Sequence, residues 1–375
     1  MPEVNPGADF SRRAHDRASV EELALRYRTW GEWGPGDDVG AAHRVTPQRV
    51  AAAARLVTEG KVFSLSLPMD RNGPMRGGGP RVNPQHVMLR TPGDPIPGVA
   101  ELQRAADDAV YMPLQSSTQW DAFCHIFFDG KTYGGYGFDS VTTLDGASAN
   151  SITNLGERAL GRGVLLDMAR YRNRDYLNPG EAIQAEDLED CAERQGVEVG
   201  EGDFVVVRTG HLQARRGGWG DYAGGPAPGL GVSAAEFLCG RKVTAVASDT
   251  WGLEVMPFET PDLMSPLHII LLVNAGIHIG EMWDVEALAD DCNHDGRYDF
   301  SLGAHPLMVT GATGTPLNPG ANTSRSARAD RPTTTEYRRS SGVATSTRGR
   351  HPNVVHVTVQ SGFETIRGRP AEEIP

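Results

Sequence analysis

Cysteine is scarce in this chain of 375 residues. Cys124, Cys191, Cys239 and Cys292 are the only four, and no two form a C-x-x-C pair. Neither a zinc ribbon nor a disulfide framework is indicated, and a reducing compartment fits. Long apolar runs are lacking too. The longest, Ile269–Val273 in LHIILLVNAG, is far short of the ~20 residues that a membrane-crossing helix needs. Met1–Arg17 is polar and charged, without the apolar centre of a secretory signal, so a soluble cytoplasmic protein is expected. Cations are in deficit, 36 Lys+Arg against 48 Asp+Glu, for a net charge of −12. A grip on phosphate backbones comes from clustered cations, so neither nucleic acid nor a membrane surface is an expected partner.

What the chain has in plenty is glycine (45) and proline (25), scattered between apolar runs without a period. That pattern is a loop-rich globular enzyme and not a fibre. The length allows one large or two moderate domains with a full core. Ser19 and Glu22 read as a capping box for a helix reaching about Tyr27. Thr46 and Pro47 open a second helix, with Gly60 as its terminator. Val62–Asp70 alternates like a half-buried strand, and the turn-dense stretch 71–97 reads as a long loop over a site. Strands are expected in Gly161–Met168, Gly202–Gly210 and Lys242–Thr250, alternating with helices in Ala185–Gly196 and Ser233–Gly240. LHIILLVNAG reads as another buried strand, with a helix following from Asp284. Alternation of this kind supports an α/β architecture.

Beyond Gly320 the composition changes. Residues 322–375 hold nine Arg, no Lys and five acids, and Ala321–Arg350 has no Leu, Ile, Phe or Met. Such a stretch buries too little apolar surface to offset its ordering entropy, so a mobile Arg-rich tail over 321–375 is expected. Asn353–Gln360 could add one strand.

Two tempting motifs carry little. Gly229–Ala234 matches G-x-G-x-x-A but follows YAGGPAP where a dinucleotide fingerprint needs a strand. Asp291–Gly296 opens like a calcium loop, yet its twelfth position is Leu302, so a polar turn is the better reading. The informative segment is Met112–Gly135, which places Gln115, Gln119, Asp121 and His125 among Trp120, Phe123, Phe127 and Phe128. The aromatic neighbours imply burial, and a buried carboxylate beside an imidazole must be paired or hold a metal. Taken alone, an ordinary Asp–His hydrogen bond accounts for it. A second cluster, His268 and Glu281 in LHIILLVNAGIHIGEMWD, shifts the balance, because the two together supply the donors that Zn and Mn favour. His278, two residues after Gly276, reads as a surface or supporting group in a turn.

These residues resemble the cyclase family of metal-dependent hydrolases, to which bacterial kynurenine formamidase and isatin hydrolase belong. Against the family pattern H-x-G-T-H-x-D-x-P-x-H, residues 115–125 retain Thr118, Asp121 and His125, and the family's downstream ligands fall on His268 and Glu281. WGEWGPGDDVG, GRGVLLD, GDFVVVRTG, WGDYAGG, SDTWGLE and GATGTPLNP are further landmarks of a longer branch, covering roughly residues 30–320. The resemblance implies a single α/β domain of the swivelling β/β/α type over 30–320, a mixed sheet with flanking helices, preceded by a helical extension over 1–29. It implies one divalent ion, Mn or Zn, on Asp121, His268 and Glu281. Both upstream histidines of the pattern are glutamine here, Gln115 and Gln119, and the weaker amide oxygen of Gln119 is expected to assist.

His125 is the implied proton shuttle in hydrolysis of an amide or lactam C–N bond of a small aromatic or cyclic molecule. Trp30, Trp120 and Trp251 are candidates for stacking on such a substrate, and Arg81 and His86 for binding a carboxylate. A homodimer or homotetramer is the implied assembly. Two other readings stay open: a non-hydrolytic lyase or cyclase using the same metal site, and a binding protein whose site has decayed.

Overall fold

The computed structural model describes residues 12–75, 80–98 and 103–323. Its centre is a nine-stranded mixed sheet. Four strands, Leu160–Asp167, Phe204–Arg208, Ala245–Ser248 and His278–Glu281, run parallel side by side. Asp299–Gly303, Gly320–Asn322 and Val62–Ser64 extend one edge antiparallel, and Gln119–Asp121 then Gly314–Pro316 extend the other. The protein is thus mixed α/β, with helices on both faces of the sheet.

Parallel strands covered on both sides read as continuous apolar runs, and these do. Val205 and Val207 face one core with Val164, Leu166, Val246 and Ile279, under the helices Ala185–Gln195, Ala234–Gly240 and Arg17–Arg26. Phe204 and Val206 face the other, with Leu165, Ala247, Trp120, Trp283 and Phe300. The second face needs glycine at 280: a Cβ there would lie 2.7 Å from both the Ala247 methyl and the Trp120 ring.

Several elements depart from the sequence reading. LHIILLVNAG is helical: Pro266–His268 continues into a π-helical turn, Ile269–Ala275, closed by Gly276 in the left-handed region. Every residue of Ile269–Ala275 is buried, and a helix apolar on all sides cannot be told from a buried strand by periodicity. The first helix, Arg17–Arg26, is capped by Asp16, whose carboxylate accepts from the Ser19 amide, so the capping box at Ser19 and Glu22 does not form. The second, Pro47–Ala54, has Thr46 and Pro47 in their expected places but stops before Gly60.

The expected strand 62–70 ends at Ser64 because its partner is three residues long. Beyond it the Leu67 amide is taken by the Thr118 hydroxyl. The loop 71–97 contains the strand Gln85–Arg90, paired in a hairpin with Asp107–Tyr111. The helix expected from Asp284 is Glu286–Asp295, and Asp291–Gly296, expected as a polar turn, forms its last turn and its left-handed cap. Residues 324–375, including Asn353–Gln360, lie outside the described residues.

Candidate metal centre

Strand alternation builds the site. Gln119 and Asp121 share one face of their strand, and Trp120 takes the other, where its indole packs on Trp283 and donates to the Ala304 carbonyl. On the neighbouring strand Glu281 stands opposite Gln119. The helix beginning at Pro266 brings His268 over the same face. Ligand atoms of Asp121, His268 and Glu281 lie within 4.8 Å of one another, and the three residues are 1%, 5% and 3% exposed. The Nε2 of His268 is 3.4 Å from Glu281 and 3.9 Å from Asp121. Its Nδ1 is 2.5 Å from Glu254, a buried carboxylate that the sequence reading did not single out. Glu254 is the last residue of the landmark SDTWGLE, but spacing alone gave it no role.

Negative charge predominates in the cluster. Three buried carboxylates, Asp121, Glu254 and Glu281, surround one imidazole. Burial raises the Asp121 carboxyl to about 6, with Glu281 adding to the rise and His125 and His268 opposing it. Burial would depress His268, but the hydrogen bonds and charges of Glu254 and Glu281 outweigh it and lift the imidazole to about 10. Among the described residues, Asp121 Oδ2 and Gln119 Oε1 are buried without a hydrogen-bond partner. An unpartnered buried carboxylate oxygen among acids and an imidazole suits a divalent ion, so the residues present fit one. Gln119 itself uses its amide nitrogen here, donating to Glu281 at 2.7 Å and to Asp121 at 3.3 Å. Gln115 stands apart and donates to the Thr313 hydroxyl.

A cavity of about 540 Å³ opens beside the cluster, lined by His125, His268, Glu281 and Arg81 and by the apolar Met75, Trp251, Met256, Phe258 and Met264. His125 sits at its edge, with Nε2 4.0 Å from Asp121. Burial lowers the His125 pKa, and the Arg81 guanidinium, 3.4 Å from the same nitrogen, lowers it further. The Asp121 charge opposes them, and the balance favours the neutral imidazole.

Of the residues expected to touch substrate, Arg81 and Trp251 line this cavity. The structure does not bring the others there. Trp120 is buried on the far side of its strand. Trp30 lies under the Arg28 guanidinium and donates to the Val273 carbonyl. His86 pairs with Asp108 on the exposed hairpin. His278 is not in a turn but buried in its strand, stacked on Phe123 and bonded through Nδ1 to the Asp121 carbonyl.

A family model described as a putative cyclase matches residues 63–255. Among solved structures, one described as a novel cyclase is 38% identical, with a TM-score of 0.72 over 80% of this chain and 99% of its own. Isatin hydrolase A from Labrenzia aggregata, bound to benzyl benzoate, is 19% identical with a TM-score of 0.51, covering 73% of this chain and 97% of its own. An isatin hydrolase bound to the product analogue thioisatinate is 18% identical with a TM-score of 0.54, covering 74% and 98%. At such identities the two isatin hydrolases speak for the fold. No curated protein sequence matches significantly.

Proposed function

The chain belongs to the cyclase family, and on that premise we propose that it is a metal-dependent hydrolase of an amide or lactam C–N bond in a small aromatic or cyclic molecule. The observation that carries the reading is the convergence of Asp121, His268 and Glu281, with an unpartnered carboxylate oxygen among them, on the wall of a cavity that also holds a neutral imidazole.

Asp121, His268 and Glu281 would hold the ion, Mn or Zn, and the amide of Gln119 would orient the two carboxylates. A divalent ion supplies positive charge that acidifies water and polarises a carbonyl. The chain's own part is proton handling and binding. His125 Nε2 accepts the proton given up by the attacking water and returns it to the departing nitrogen, a role suited to an imidazole kept neutral by burial. Arg81 lines the same cavity and is placed to meet a polar group of the substrate. The apolar wall of Trp251, Met256, Phe258 and Met264 displaces water and accepts a flat ring.

The test begins with elemental analysis of protein purified without added metal, followed by a screen of N-formyl anilines and lactams in oxygen-18 water. One ion per chain, loss of turnover on chelation and incorporation of the label into product are expected. A product lacking the label would exclude hydrolysis in favour of a lyase or cyclase reaction. Failure to bind either ion would end the metal-centre reading.

A further inference from the structure

Glu254 is 2% exposed, and its carboxylate is committed to a single element. One oxygen accepts from the Leu267 amide at 3.0 Å. The other accepts from the His268 amide at 2.9 Å and faces the His268 Nδ1 at 2.5 Å. All three groups belong to the first turn of the helix that delivers His268. A carboxylate accepts but cannot donate, so Nδ1 must carry a hydrogen, and in the neutral ring the lone pair is then on Nε2. That nitrogen is the one turned toward Glu281 and Asp121.

The backbone gives an independent sign that this arrangement is imposed. Leu253, Ser265 and Met282 have φ of 56°, 51° and 58°, the left-handed region that side chains other than Asn and Asp rarely adopt. Leu253 immediately precedes Glu254, Ser265 caps the turn that carries His268, and Met282 immediately follows Glu281. Each such residue is strained and persists only where its surroundings over-determine it. Strain collected at three junctions of one cluster shows a geometry that packing holds in place.

Resting on the metal-centre reading above, we propose that Glu254 is a positioning residue for that centre, fixing the Nδ1–H tautomer of His268 and clamping its helix so that Nε2 is presented as a ligand. Glu254 itself stays outside the ion's reach, with its oxygens occupied by N–H groups. A plain helix cap would contribute stability alone, whereas a positioning carboxylate also sets metal affinity.

The experiment compares the parent chain with Glu254→Gln, both stripped of metal and titrated with zinc against a chromophoric chelator at pH 7.5. The variant is expected to bind zinc about 10–100-fold more weakly, as for other partners of metal-bound histidines. Affinity within about threefold of the parent, with the variant folded, would overturn the role of Glu254 and leave the metal centre standing. A parent that binds no zinc would overturn both. Should Glu254→Gln not fold, nitrogen-15 shifts of His268 in the zinc-loaded parent decide the matter. A protonated Nδ1 and a metal-bound Nε2 are expected, and the reverse assignment would overturn the proposal.

Discussion

In the chelated protein, Asp121→Asn should stabilise the fold at neutral pH, although it removes a buried side chain's charge from a site built of charges. Burial and the neighbouring Glu281 raise the Asp121 carboxyl from 3.8 to about 6. At ~1.36 kcal/mol for each pH unit, the ionised folded state is penalised by about 3 kcal/mol. The sign follows from proton counting. The folded value lies above the unfolded one, so between about pH 4 and 6 the folded state holds more protons and stability falls as pH rises through that window. Asparagine keeps the shape and an oxygen that can accept from Gln119, but it carries no charge.

Urea denaturation with a chelator present should therefore show a gain of up to about 3 kcal/mol for the variant at pH 7.5, shrinking below about 1 kcal/mol at pH 4. Saturating metal should reverse the order. An ion at about 1,000 times its Kd adds about 4.1 kcal/mol to the parent, more than the penalty of about 3 kcal/mol, and little to a chain that has lost one of three ligands. A chelated variant no more stable than the parent at pH 7.5, or a gain equal at both pH values, would refute the idea that uncompensated carboxylate charge defines this site.

His125→Ala should lower turnover by about 10²–10⁴-fold with metal content unchanged, because the imidazole lies outside the set of three ligand residues. Elemental analysis beside steady-state rates separates the two effects. Arg208 is buried and bridges Asp167 and Glu286 through bonds of 2.8 Å. Arg208→Met should cost about 3–5 kcal/mol in urea denaturation by leaving those acids uncompensated, and a loss below about 1 kcal/mol would show that Arg170, 2.9 Å from the Asp167 carboxylate, suffices for it. Gly280→Ala should cost about 1–3 kcal/mol by forcing apart Ala247 and Trp120, and should also weaken metal binding, since Glu281 is the next residue.

The strands at the centre of the fold were legible because burial on both faces leaves an unmixed β-branched signature, as in Phe204–Arg208. LHIILLVNAG was misread for the same reason: a helix buried on every side shows no polar face, and its β-branched residues imitate a strand. Pro266 at its start and Gly276 at its end were the sequence signals that favoured a helix. The convergence of Asp121, His268 and Glu281 was legible as residue types, since a His and two acids among aromatics must be paired or hold a metal. The substrate wall was not. Trp251 reaches the cavity and Trp120 does not, because strand alternation sends Trp120 to the opposite face from Asp121, and register is not marked in a three-residue strand.

Glu254 shows where sequence reasoning stops for a physical reason. Its role depends on a contact made across 14 residues of irregular chain, between one carboxylate and three N–H groups of a helix whose existence was itself misjudged. Periodicity reports on burial and spacing reports on local geometry, but neither reports on which nitrogen of His268 bears a hydrogen. That choice decides which nitrogen the neutral His268 ring can offer to an ion, and it is made by a residue proposed to touch neither ion nor substrate. A centre that holds its ion as proposed, with one histidine among three ligands, has little redundancy, so its chemistry would rest more heavily on this one hydrogen bond than that of a site richer in imidazole.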